Sequence, residues 1–444
     1  MNKDIILNQS ISLFIMTLLI MSFFVRDYTL TYLFMSTLLF WIALRYSDLN
    51  IKVIAGFFFI YYFIPLPNIS TYRGTIVYET LVLYTLMILI GLLPILFTIK
   101  INKEQKQKQK QKIILGPRFN SVVSIHLTFV YLLLLYVYVK YGFVIINQEQ
   151  RFKINPIIGY LIKSSIYIPL FSQFVIRGDL KPFTIIKFII LPLLPAIMIG
   201  SRGTVILILI SVSILFFVTK IPLGNSFKLK SSSVWRKQKK TIKRVLITIV
   251  VILHVFYYSR RIFSKKLLSN MEVIQTFFHS NSKLYLLILP LYSSFRETIG
   301  IANVLIRNEY KNVVTEYPLF FAELFTILPG KQPAPGQIIG DFIGRNLSGG
   351  LTPNLLGGLY PDFGIYSVFG CIVFVIIIKY LYTLSIYNEF YKILYVITLT
   401  QFFHLFHRGF LKPEYFIAYI ILFIYFSFTK YQNENSPSSL SILA

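Results

Sequence analysis

The residues of this chain whose type and placement could do chemistry are arginines at the ends of apolar runs. Arg73, Arg151, Arg202, Arg296, Arg345 and Arg408 lie in polar stretches beside hydrocarbon. Arg151 follows QEQ and precedes FKINP, Arg202 sits in GSRG, and Arg408 sits in HRGF. An arginine at the centre of a membrane helix costs about 2.5–3.5 kcal/mol on insertion scales, and less near the interface. Several such cations on one face repel each other unless an anion lies among them. The planar guanidinium fork suits phosphate, which it meets through charge-assisted and often bidentate hydrogen bonds. Glycines beside Arg202 and Arg408 allow a ligand to approach the backbone N–H groups closely. The set points to an anion site, with snorkelling of single arginines to lipid headgroups as the competing reading.

Other chemistries lack their residues. No HExxH, CxxC pair, GxxxxGK[ST] or GxSxG occurs, which removes the zinc-protease, zinc-ribbon, P-loop and serine-elbow readings. Of His126, His254, His279, His404 and His407, only the last two are close in sequence, and two ligands do not hold a metal. That pair reads either as hydrogen-bonded residues at a helix end or as acid–base and substrate contacts. No metal or cofactor is expected. Cys371, the only cysteine, lies in an apolar run and reads as a packing residue. Acids that could accept a hydroxyl proton are Glu272, Glu297, Glu309, Glu316, Glu323, Asp341, Asp362 and Glu414. Glu297 reads equally well as a neutralising neighbour of Arg296.

Helices spanning a membrane must position these groups. The 444 residues are 56% hydrophobic and 14% charged, against about 25% charged in soluble domains. Apolar runs near 8–25, 28–44, 51–66, 75–99, 121–146, 156–176, 182–199, 203–219, 245–259, 364–385, 391–406 and 413–429 predict an all-α integral membrane protein. Each run approaches the roughly 20 residues that cross a bilayer. The expectation is one polytopic domain, 1–444, of about 12 transmembrane helices. An extracytoplasmic loop, 260–363, would join helices 9 and 10 and carry short amphipathic helices.

The net charge of +27 concentrates in connections, with seven basic residues in 100–118 and nine in 220–244. That is a topology signal rather than a nucleic-acid footprint, and it puts both termini in the cytoplasm. The tract KEQKQKQKQK reads as a solvated low-complexity loop, and no cleavable signal peptide is expected. The arginine-bearing connections then fall outside, together with RNLSGGLTPNLLGGLYPDFGIYSVFG (345–370), a glycine-rich run whose irregular backbone implies a polar ligand.

Five features in this order resemble the Wzy-type O-antigen and oligosaccharide repeat-unit polymerases: YGFVIINQEQRF (141–152), GSRG (200–203), FRETIG (295–300), LTPNLLGGLYPDFGIYSVFG and HRGF (407–410). The similarity runs over about residues 130–430. It implies a membrane glycosyltransferase that moves a growing glycan from an undecaprenyl-pyrophosphate donor onto a lipid-linked oligosaccharide repeat unit. Carried over, Arg202 and Arg408 would bind pyrophosphate, with Arg296 next and Arg151 less directly placed. Arg345, Ser348, Thr352, Asn354 and Tyr360 would hydrogen-bond glycan hydroxyls. His407 and Asp341 are candidate bases, and late proton loss could dispense with one. Some relatives carry a histidine where Arg345-Asn346 stands here. The resemblance also implies a bacterial inner-membrane location, contact with membrane lipids and a chain-length regulator as partner. A flippase of lipid-linked oligosaccharides and an O-antigen ligase are the alternatives.

Overall fold

Polar punctuation between apolar runs sets the first helices. Asp27 caps α2 (Tyr28–Arg45) by accepting from Leu30 N at 2.9 Å, and Asp48 caps α3 (Leu49–Phe63) through Asn50 N at 2.7 Å. Such carboxylates satisfy N–H groups that a helix start leaves without partners. The computed structural model describes residues 3–46, 48–68, 74–96, 111–116, 118–144, 150, 153–171, 186–220, 251, 284–308, 318–328, 334–343 and 351–433. The chain divides into two compact units.

The first unit comprises residues 1–99, 264–379 and 402–412. It contains α1 (Lys3–Val25), α2, α3 and α4 (Tyr78–Leu96). Further helices are α9 (Leu284–Arg307), α10 (Pro335–Phe342), α11 (Leu355–Phe363) and most of α12 (Ile372–Ser385). Gly91 lets α4 approach Cys371 closely, since an added Cβ would lie 2.8 Å from the Cys371 Cβ. The thiol is buried, as a packing residue should be.

The second unit comprises residues 100–263, 380–401 and 413–444. It holds α5 (Phe119–Tyr141), α6 (Pro156–Lys163), α7 (Leu191–Met198), α8 (Arg202–Lys220), the start of α13 (Glu389–Arg408) and α14 (Pro413–Ser427).

Helices occupy the apolar runs expected to form them, except that 245–259 falls almost wholly outside the described residues. Among the described residues, Tyr28–Arg45, Tyr78–Leu96 and Phe119–Tyr141 are each long and apolar enough to cross a membrane. A fourth candidate is Leu355–Phe369 with Ile372–Ser385, bent by 57°.

The architecture is helical, as expected, with one two-stranded ribbon in addition, in which Gln111–Leu115 (β1) pairs antiparallel with Thr429–Asn433 (β2). The end of the lysine-rich connection is therefore hydrogen-bonded to the tail after α14, and both lie at the same side of the second unit. The glycine-rich stretch is less irregular than its composition suggests, since 355–363 is α-helical, with Pro361 inside the helix. The part 344–350 lies outside the described residues.

Candidate functional site

Within the first unit, three of the five ordered features meet. Aromatic packing delivers the end of α13. Phe402, Phe403 and Phe406 form one face, and Phe57 of α3 stacks on Phe403 with ring centroids 3.8 Å apart. Tyr61, one turn further along α3, meets Phe406 edge-on at 5.4 Å and Phe295 at 4.4 Å. His407 lies edge-on to Tyr61 at 5.8 Å and to Phe295 at 6.1 Å. These rings exclude water and hold the HRGF turn in one place.

Gly409 then ends the helix, with φ of +84° and its N–H on the Leu405 carbonyl at 2.7 Å. A left-handed residue at a helix end favours glycine strongly. An added Cβ here would also strike the carbonyl oxygens of Pro353 and Asn354. Phe410 enters a buried cluster with Ile301, Leu305, Leu319, Ile339 and Leu351. Lys412 pairs with Glu323 at 2.9 Å. HRGF thus docks on both the 351–358 segment and the amphipathic pieces before it. Gly409→Ala should cost about 1–2 kcal/mol from backbone conformation alone, with the overlap added. Its thermal midpoint in detergent should fall by several degrees, and an unchanged midpoint would mean this junction is not formed.

Asn354 starts α11 by accepting from Gly357 N at 3.0 Å, while its own N–H donates to the Thr298 carbonyl at 3.3 Å. FRETIG and LTPNLLGG are therefore hydrogen-bonded neighbours. Asn354 is buried, and its side chain interacts with the buried Tyr84 hydroxyl, although its Nδ2 makes no hydrogen bond of normal geometry among the described residues. Tyr360 is also buried, whereas Thr352 is half-buried. Asp362 caps the 3-10 helix Leu319–Ile327, accepting from Leu319 N at 2.8 Å and Phe320 N at 2.9 Å, so this acid is structural.

Arg296 and Arg408, the candidate arginines described in this unit, contrast sharply. Arg296 is 0% exposed, and its guanidinium donates to Pro65 O at 2.6 Å, Gly74 O at 2.7 Å and Asn68 Oδ1 at 3.2 Å. Asn303, seven residues on and so on the same face of α9, receives Val77 N and the Thr80 hydroxyl and donates to Thr75 O, each at 2.9 Å. Together they knit the chain on either side of 69–73 to α9. Arg408 is half-buried and forms no hydrogen bond or ion pair among the described residues, and its Nε is buried without a partner. The Nδ1 of His407 is buried and unpartnered in the same way. Buried polar groups are nearly always satisfied, and these two exceptions sit on the turn whose Gly409 packs against the Pro353 and Asn354 carbonyls.

Asp341 is exposed on α10. Arg151, Arg345 and Ser348 fall outside the described residues. Arg202 opens α8 in the second unit after Gly200, whose φ is +72°. Ser201 precedes it and shares a hydrogen bond with the Thr204 hydroxyl. No group of three or more histidine, cysteine or acidic side chains that could hold a metal occurs among the described residues.

Sequence reading missed Tyr61, Asn68 and Asn303. The only available signal was the seven-residue spacing of Arg296 and Asn303, which puts two polar side chains on one face of an apolar helix. Neither a curated protein nor a solved structure matches the chain. Residues 242–419, which include FRETIG, the 351–370 segment and HRGF, match the model of a family described as "putative O-antigen polymerase".

Proposed function

We propose that this protein is a polysaccharide polymerase of the bacterial inner membrane. It would cross about twelve times, keep both termini in the cytoplasm and work on the extracytoplasmic face. The donor is a glycan on undecaprenyl pyrophosphate, and the acceptor is a lipid-linked repeat unit. A hydroxyl oxygen of the acceptor's non-reducing end bonds to the donor's C1, the C1–O bond breaks, and the electron pair leaves on undecaprenyl pyrophosphate. The acceptor proton passes to a base or to water.

The observation that carries this reading is the Arg408 guanidinium, unpaired among the described residues, on the turn that packs against the start of α11. Negative charge grows on the leaving oxygen as the bond breaks. A fixed cation aimed there lowers the transition state more than the ground state, which is what accelerates a reaction. Arg408 is assigned to the pyrophosphate, and Arg202 keeps the same role by resemblance. Arg296 is assigned to positioning the turn around 65–77. Thr352, Asn354 and Tyr360, with Arg151, Arg345 and Ser348, remain the proposed glycan contacts. His407 touches the same corner and is preferred to the exposed Asp341 as proton acceptor. A chain-length regulator remains a proposed partner. The β1–β2 ribbon supports the assigned sidedness, because it joins the lysine-rich connection to the C-terminal tail.

Purified protein in liposomes, given lipid-linked repeat units and no nucleotide or ion gradient, should lengthen the glycan. Arg202→Ala should reduce lengthening by about 100-fold, on the scale of one lost preorganised donor. Translocation without lengthening would favour a flippase, and transfer only to other acceptors a ligase.

A further inference from the structure

The second unit contains a cavity of about 140 Å³ that the reaction above leaves unused. It lies at the end of the unit remote from the ribbon. Its Ile199 belongs to a cluster with Val130, Leu134 and Val137, on the second half of α5, and Ile154 packs against that cluster. The ribbon adjoins the start of α5, where Gly116 N donates to the Phe428 carbonyl. A helix of 23 residues separates the two ends by about 34 Å. Arg202 begins its helix three residues after Ile199, on the same turn of chain.

One wall of the cavity is built around Lys163. Its Nζ donates to Glu414 Oε2 at 3.2 Å and lies over the Tyr160 ring, 5.1 Å from the centroid. The two charged side chains are 20% and 8% exposed, and Glu414 stands behind Lys163 rather than on the lining. An ammonium has three donors, and Lys163 makes no other hydrogen bond among the described residues. Asn155 adds a second donor, because its Oδ1 is committed to capping α6 at Ile157 N, 2.9 Å away, while its amide nitrogen is not. Tyr160, Ile154, Pro156 and Ile199 supply apolar surface.

The chemistry of this wall selects its ligand. Glu414 neutralises Lys163, so the cavity offers N–H donors without net positive charge and disfavours a phosphate. Donors set between an aromatic ring and aliphatic side chains match a sugar ring, which presents hydroxyls at its rim and C–H groups on its faces. The volume is below the roughly 300 Å³ at which drug-sized pockets begin, which suits one ring rather than a chain. We infer that this cavity is a monosaccharide subsite for the lipid-linked oligosaccharide, with Lys163 as the binding donor and Glu414 as its positioning partner. The assignment rests on the polymerase reading for the identity of the glycan.

The test uses the full chain in detergent, with repeat-unit oligosaccharide released from its lipid as one probe and inorganic pyrophosphate as the other. Lys163→Met with Glu414→Gln removes both charges together, so neither is left buried alone. Saturation-transfer NMR should show oligosaccharide contacts in the wild type that the double variant loses, with pyrophosphate binding unchanged. In the lengthening assay the half-saturating concentration of repeat unit should rise about tenfold, the scale of one lost hydrogen bond to a charged group, and more than the maximal rate falls. Retained oligosaccharide contacts would overturn the subsite, and so would a selective loss of pyrophosphate, which would make the cavity an anion site. If the double variant does not fold, Asn155→Ser keeps a capping oxygen and removes the amide donor. It should weaken oligosaccharide contacts, and unchanged contacts would again overturn the assignment. Wild-type protein that binds the oligosaccharide and never lengthens it would sink the polymerase reading while leaving the subsite standing.

Discussion

Arg408→Ala is expected to lower glycan lengthening by about 100- to 1,000-fold, the usual consequence of deleting one preorganised donor to a developing oxyanion. Membrane insertion and thermal midpoint should hold. The wild-type guanidinium has no partner among the described residues to lose, and removing a half-buried unpaired charge relieves a desolvation cost. Arg408→Lys should restore little, because an ammonium lacks the planar fork that grips two phosphate oxygens at once. Rates measured on purified variants at matched protein levels check this. Wild-type lengthening by Arg408→Ala would remove the proposed leaving-group contact.

Arg296→Met is expected to give the opposite signature. The carbonyls of Pro65 and Gly74 and the Asn68 amide lose a buried donor, and each abandoned acceptor costs about 1–3 kcal/mol. Thermal unfolding should move down sharply, and limited proteolysis should cut faster on either side of 69–73. Lengthening should fall in proportion to the folded fraction. Should Arg296→Met instead abolish lengthening at an unchanged midpoint, Arg296 would belong at the leaving group, as the family resemblance implies.

Much of the helical layout was legible because its signals are local. Asp27 and Asp48 stand between apolar runs and cap the helices that follow, and the glycine of HRGF ends a helix as its position suggests. The helix at 355–363 was hidden by Gly357, Gly358 and Pro361, which read as breakers. Gly357 and Gly358 are there for close approach instead, since Cβ atoms would strike Ala302 and the Gly409 carbonyl. The ribbon was hidden because Gln111–Leu115 follows a low-complexity tract and its partner is more than 300 residues away.

The roles of Arg296 and Arg408 were indistinguishable from sequence. Both are arginines beside apolar residues, and what separates them is the set of carbonyls about 230 residues upstream that only one of them meets. The pairing of Lys163 with Glu414 is non-local in the same way, at a separation of 251 residues. Resemblance ordered the motifs along the chain, and the fold distinguished a cation held by its own protein from one left open.

The most direct measurement is a cryo-electron microscopy map of the full chain with undecaprenyl pyrophosphate bound in a lipid disc. The account predicts phosphate density within about 3 Å of the Arg408 guanidinium, the length of a charge-assisted hydrogen bond. Phosphate density elsewhere, with Arg408 turned to lipid headgroups, would contradict it.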